Sequence, residues 1–108
     1  MLSNRTYSDK SLESADARAV SDAAQALNIR EIDFFRLAYQ RWQGVAANDK
    51  ALETYFVAFM FHGRVPLWAR HLARHVLHQQ QQGRLDPVAL GADQYRKQEK
   101  PPPLGRVY

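Results

Sequence analysis

The sequence contains no cysteine. That removes disulfides, thiolate zinc sites, iron–sulfur clusters and thiol nucleophiles from consideration, and it fits a reducing compartment. Serine is confined to the start of the chain, at Ser3, Ser8, Ser11, Ser14 and Ser21, whereas the histidines, His62, His71, His75 and His78, come much later. Glycine is sparse and nowhere clustered into a phosphate-cradling loop, and no two carboxylates share an apolar setting. Nucleophilic, acid–base and phosphoryl-transfer chemistry therefore lack their usual marks. The expectation is a protein that is not an enzyme and needs no cofactor. Long hydrophobic runs are missing too. The greasiest stretch, Tyr55 to Phe61, is far shorter than the ~20 residues that cross a bilayer. Met1 to Tyr7 has no apolar centre of the kind a secretory signal carries. These absences predict a soluble, cytoplasmic chain without a membrane partner.

What is present suits one small domain. The chain has 108 residues, 45% of them hydrophobic and 24% charged, so one modest core without covalent staples is feasible. Helical spacing dominates. A first helix is expected over 12–27, capped by Ser11 and ended by Asn28; its apolar side is mostly alanine, with Val20 and Leu27. Alanines hold a helix weakly, so this one could pack loosely. A second helix, 31–43, carries Ile32, Phe35, Tyr39 and Trp42 along one stripe, widened by Phe34, Leu37 and Ala38, and stops at Gly44. A third, 49–62, is apolar on every side after Glu53, which places it in the middle of a bundle. A strand is the rival for that segment. At ~14 residues it is long for one, and the sequence offers no second strand to pair with it.

Gly63 and Pro66 form the corner into a fourth helix, 66–82, closed by Gly83. The fold class that follows is all-α: a small antiparallel bundle of four helices, spanning 11–83, between a disordered leader, 1–10, and a proline-containing basic tail, 84–108. A short helical turn up to Leu90 fits after Asp86-Pro87. Pro101-Pro102-Pro103 predicts an extended end.

Charge is unevenly placed. Residues 1–60 hold seven Lys/Arg against eight Asp/Glu, and residues 61–108 hold eight against three. That asymmetry points to an anionic partner for the second half. The fourth helix concentrates it. Trp68, Ala69, Leu72, Ala73, Val76 and Leu77 share one half of the helical wheel, leaving Arg70, His71, Arg74, His75 and His78 on the other, with Arg64 and Arg84 just beyond the two ends. Three uses of this face are open. It could dock an acidic protein, because arginine forks pair with carboxylates. It could bind nucleic acid, as a basic second helix of a hairpin, although the outward face of that helix carries no Asn or Gln before Gln79 to read bases and Trp68 points inward. It could hold a divalent metal through His71, His75 and His78, but no carboxylate lies nearby in sequence and Arg70 and Arg74 would repel a cation.

The leading expectation is the first: an accessory or regulatory protein that docks an acidic partner through Arg64, Arg70, His71, Arg74, His75, His78 and Arg84. The apolar tail residues Leu104, Val107 and Tyr108 are candidates for a second contact. Free imidazole titrates near ~6.5, so such docking should tighten from pH 8 to pH 6. Finally, two tryptophans, five tyrosines and five phenylalanines crowd so small a bundle that a homodimer, with some of them facing a second copy, is a further expectation.

Overall fold

Helix α1 runs over Leu2–Leu27, α2 over Glu31–Gln43, α3 over Asp49–His62 and α4 over Leu67–Gln81, followed by a single turn, α5, at Pro87–Leu90 and a 3-10 turn at Asp93–Tyr95. The computed structural model describes residues 2–96, and side chains from Ala15 onward. The architecture is a small all-α bundle. Among the described residues there is no strand, only one isolated antiparallel bridge between Ile29 and Arg96.

The helix ends follow from local chemistry. Asn28 takes the left-handed conformation, φ 60°, and terminates α1. Gly44 at φ 81° ends α2, its N–H donating to the Gln40 carbonyl. The Asn48 side chain accepts from the Ala51 N–H at 2.7 Å and starts α3. Pro66 sits one residue outside α4 rather than at its first position; its carbonyl accepts from the Ala69 and Arg70 N–H groups, both at 3.0 Å. One boundary differs widely from expectation. Where a leader over 1–10 was expected, helix α1 already begins at Leu2. No proline or glycine interrupts Leu2–Leu27, and once a helix is nucleated each added residue gains a hydrogen bond.

Packing reverses two expectations. The alanine-rich α1 is no loose appendage: it forms the most extensive helix pairing in the fold, with α4. Val20, Ala23 and Leu27 are fully buried and Ala24 nearly so. Small side chains let the two backbones approach closely, so contact is gained through proximity rather than through the size of each group. Helix α3, apolar on every side after Glu53, is by contrast not the middle of the bundle. It docks chiefly on α2 and buries only Leu52 and Phe59.

Helix α2 holds the centre, touching α1, α3 and α4. Phe34 and Phe35 are fully buried. The Phe35 ring meets Phe56 and Trp68 edge-on at 5.7 Å and Phe59 at 5.1 Å. Trp68 in turn receives Tyr39 and Tyr55 at 5.4 and 5.1 Å, again near-perpendicular. Such edge-to-face pairs each add about 0.5–1.5 kcal/mol beyond burial. The buried carboxylate of Asp33 is matched by Arg30, whose Nε donates to it at 2.8 Å, and by Arg36 Nε at 3.6 Å. That hydrogen bond, with the carboxylate charge, raises the Arg30 guanidinium above its ordinary pKa. The Ser21 hydroxyl donates to Glu31 and ties α1 to the start of α2.

The folded unit continues past Gly83, the expected boundary. Leu90 and Ala92 are buried in the common core, and the Leu90 carbonyl accepts from Arg41 Nη1 at 3.3 Å. Asp86 caps α5, accepting from Val88 and Ala89. The tail residues Leu104, Val107 and Tyr108, with the proline run, lie outside the described residues.

Candidate functional site

Helix α4 buries Trp68, Ala69, Leu72, Ala73 and Val76, so its remaining side chains form the surface that the charge pattern singles out. The structure divides that surface in two. At 100° per residue, Arg70 and Arg74 lie next to Ala73 and Leu77, while His71 and His75 lie next to Trp68 and Leu72. The first edge meets α1. Arg70 Nη1 lies 3.6 Å from Asp16 Oδ2, and Arg74 Nη2 lies 3.8 Å from Asp16 Oδ1. One carboxylate on α1 thus sits beside both arginines, and Arg70 is only half-exposed. Their positive charge is partly neutralised inside the molecule.

The second edge meets α2 and has no such compensation. His71 packs edge-on against Trp42 with ring centroids 5.6 Å apart. Between α2 and α4 a cleft of about 250 Å³ opens, floored by Ala38, Leu72 and Trp68 and rimmed by Arg41, Trp42, His71 and His75. Trp42 is 50% exposed there. It stands in the last turn of α2, just before the Gly44 cap, and half of the indole stays in solvent although one edge meets His71 of α4. Arg41 makes one hydrogen bond, to the neutral Leu90 carbonyl. Among the described residues, the ion pairs join Arg30, Arg36, Arg70, Arg74 and Arg96 to carboxylates. Arg41, His71, His75 and His78 are not among them, nor are Arg64 and Arg84 at the ends of α4. Asp16 and Asp22 lie on α1, Glu31 and Asp33 at the start of α2, Asp49 and Glu53 at the start of α3 and Asp86 and Asp93 after α4; none of them pairs with Arg41, His71 or His75.

The expected site residues thus do not act as one stripe. His71 and His75 join the cleft, Arg70 and Arg74 turn toward Asp16, and His78, Arg64 and Arg84 are exposed along or beyond α4. Among the described residues no group of three or more His, Asp or Glu side chains is placed to hold a metal ion. Residue periodicity missed Arg41 and Trp42. Trp42 continues the apolar stripe of Phe35 and Tyr39 and so reads as core. Its position in the final helical turn, where the stripe outruns its neighbours, was the available signal.

Comparison with protein-family models, curated proteins and solved structures finds no match to this chain. No helix among the described residues is long and apolar enough to cross a membrane.

Proposed function

We propose that the chain is a non-catalytic accessory or regulatory protein that docks an acidic segment of another protein on the α2–α4 edge. The observation that carries this reading is an exposed tryptophan beside a guanidinium and two imidazoles, none of which pairs with a carboxylate among the described residues: Trp42 with Arg41, His71 and His75. An apolar or aromatic residue of the partner would enter the cleft over Leu72 and Trp68, and carboxylates flanking it would meet the guanidinium and imidazoles. Arg64, His78 and Arg84 would extend attraction along α4 and raise the rate of encounter more than the final affinity. The Arg70–Arg74 edge contributes less, because Asp16 already engages it.

Both tryptophans of the chain line this cleft, so their fluorescence reports occupancy directly. A Glu/Asp-rich peptide with a central Phe is expected to shift that emission, with binding that weakens as salt rises. Joint substitution of Arg41→Glu and His75→Glu should reduce affinity at least about tenfold, the effect of a lost and reversed charge contact. Arg70→Glu with Arg74→Glu should reduce it less. Equal losses from the two pairs, or no emission change at all, would remove this site.

One observation favours a second reading. An exposed Trp42 next to Arg41 is what a stacking platform for single-stranded nucleic acid requires. The short, single cleft, with no further exposed aromatic along α4, suits one anchoring side chain better than a run of bases. A single-stranded oligonucleotide titrated against the same fluorescence distinguishes the two.

A further inference from the structure

The outward face of α3 presents the sharpest conflict between composition and placement. Val57, Met60 and Phe61 are 45%, 56% and 76% exposed. They fall within about 100° of one another on the helical wheel, opposite the buried Leu52 and Phe59. Isolated exposed apolar residues are ordinary, but a contiguous apolar stripe on a helix that already buries its other side marks an interface.

The charges that bracket the stripe indicate what covers it. Glu53, Val57 and Met60 follow the i, i+4, i+7 line along α3, and Arg64 comes next, just past the Gly63 cap. Glu53 and Arg64 are both exposed, and neither joins an ion pair among the described residues. In chain order the face thus reads carboxylate, apolar, apolar, with a guanidinium just beyond the helix end, where the left-handed Gly63 breaks the helical line. Reversed, it is complementary to itself. When two copies of α3 cross antiparallel, with a two-fold axis between Val57 and Met60, Val57 of one faces Met60 of the other. Glu53 of one then lies opposite Arg64 of the other, twice over. A two-fold contact requires such self-complementarity. A parallel pairing would instead set Glu53 against Glu53 and Arg64 against Arg64.

We propose that this face of α3 is the contact surface of a homodimer, formed by antiparallel packing of Val57, Met60 and Phe61 and registered by reciprocal Glu53–Arg64 pairs. The apolar residues Val57, Met60 and Phe61 are separate from the α2–α4 cleft and Arg64 alone belongs to both surfaces, so Phe61→Glu tests the dimer independently of what the cleft binds.

Sedimentation equilibrium of the full chain over the micromolar range tests this. The expected mass is twice the 12.4 kDa of the monomer, with a dissociation constant that Phe61→Glu raises at least about tenfold, as for loss of a central apolar anchor. Phe61 makes little contact within the monomer, so circular dichroism and the thermal midpoint of the variant's monomer should confirm an intact fold. Glu53→Arg alone and Arg64→Glu alone should each weaken dimerisation, and the two together should restore it to near the native constant. A monomeric mass at every concentration overturns the proposal. So does a dimer indifferent to Phe61→Glu, or a double charge exchange that fails to restore association.

Discussion

Helices α1 and α3 exchange the roles their compositions suggest. Among its described side chains, helix α1 offers alanines, Val20 and Leu27 to its neighbours and ends in the heart of the core. Helix α3 offers phenylalanines, a tyrosine, a valine and a methionine and leaves several of them in solvent. Apolar content sets how much a helix can gain by burial, but geometry sets how much of it is buried. Helix α1 has one narrow apolar side, and α4 covers it at close range. Helix α3 has apolar groups all round, and α2 can cover only one side. A helix of that kind is over-supplied for the monomer.

The contrast can be broken at its strongest point by Phe35→Ala, which removes the ring joining α2 to Phe56, Phe59 and Trp68. The expected cost is about 3–5 kcal/mol, read from urea or thermal unfolding. If the loss fell under about 1 kcal/mol, the aromatic cluster would not be what joins α3 and α4 to the core.

A smaller effect is expected from enlarging the alanine seam. Ala23→Leu forces extra volume between α1 and its neighbours and should destabilise by about 1–3 kcal/mol, despite the better intrinsic burial of leucine. A neutral or stabilising outcome would mean that α1 packs loosely after all.

Asp16→Asn addresses the two edges of α4. Partly exposed ion pairs contribute little, so stability should fall by no more than about 1 kcal/mol. The same change releases Arg70 and Arg74, and binding of the acidic peptide should strengthen if their silence depends on Asp16. Unchanged affinity would confine the contact to the cleft edge. The smallest change belongs to Phe61→Ala. Its ring is 76% exposed, so in the monomer the unfolding free energy should stay within about 0.5 kcal/mol of native. A large loss would show that Phe61 is packed within its own chain.

The helical segments 31–43 and 49–62 were legible because their limits are set by local groups: Asn28, Gly44, Asn48 and Gly63 hold the chain in conformations that a helix does not continue through. The inward direction of Trp68, Leu72 and Val76 was legible because α4 has two unlike sides. The cleft was not. Arg41 and Trp42 lie on α2 and His71 and His75 on α4, and nothing local reveals that the stripe of α2 extends past its cover. Asp16 and Arg70 are likewise far apart in the chain, so the neutralised half of the basic face could not be seen from the charge pattern.

The order of amino acids by itself determined that this chain is helical, where its turns fall, and that positive charge accumulates in its second half, because capping, periodicity and composition act within a few residues. Only the tertiary structure decided which apolar side of α3 stays uncovered and which arginines keep their charge free. Those outcomes depend on how close distant helices approach, and an evenly greasy helix carries no local preference that could settle the matter.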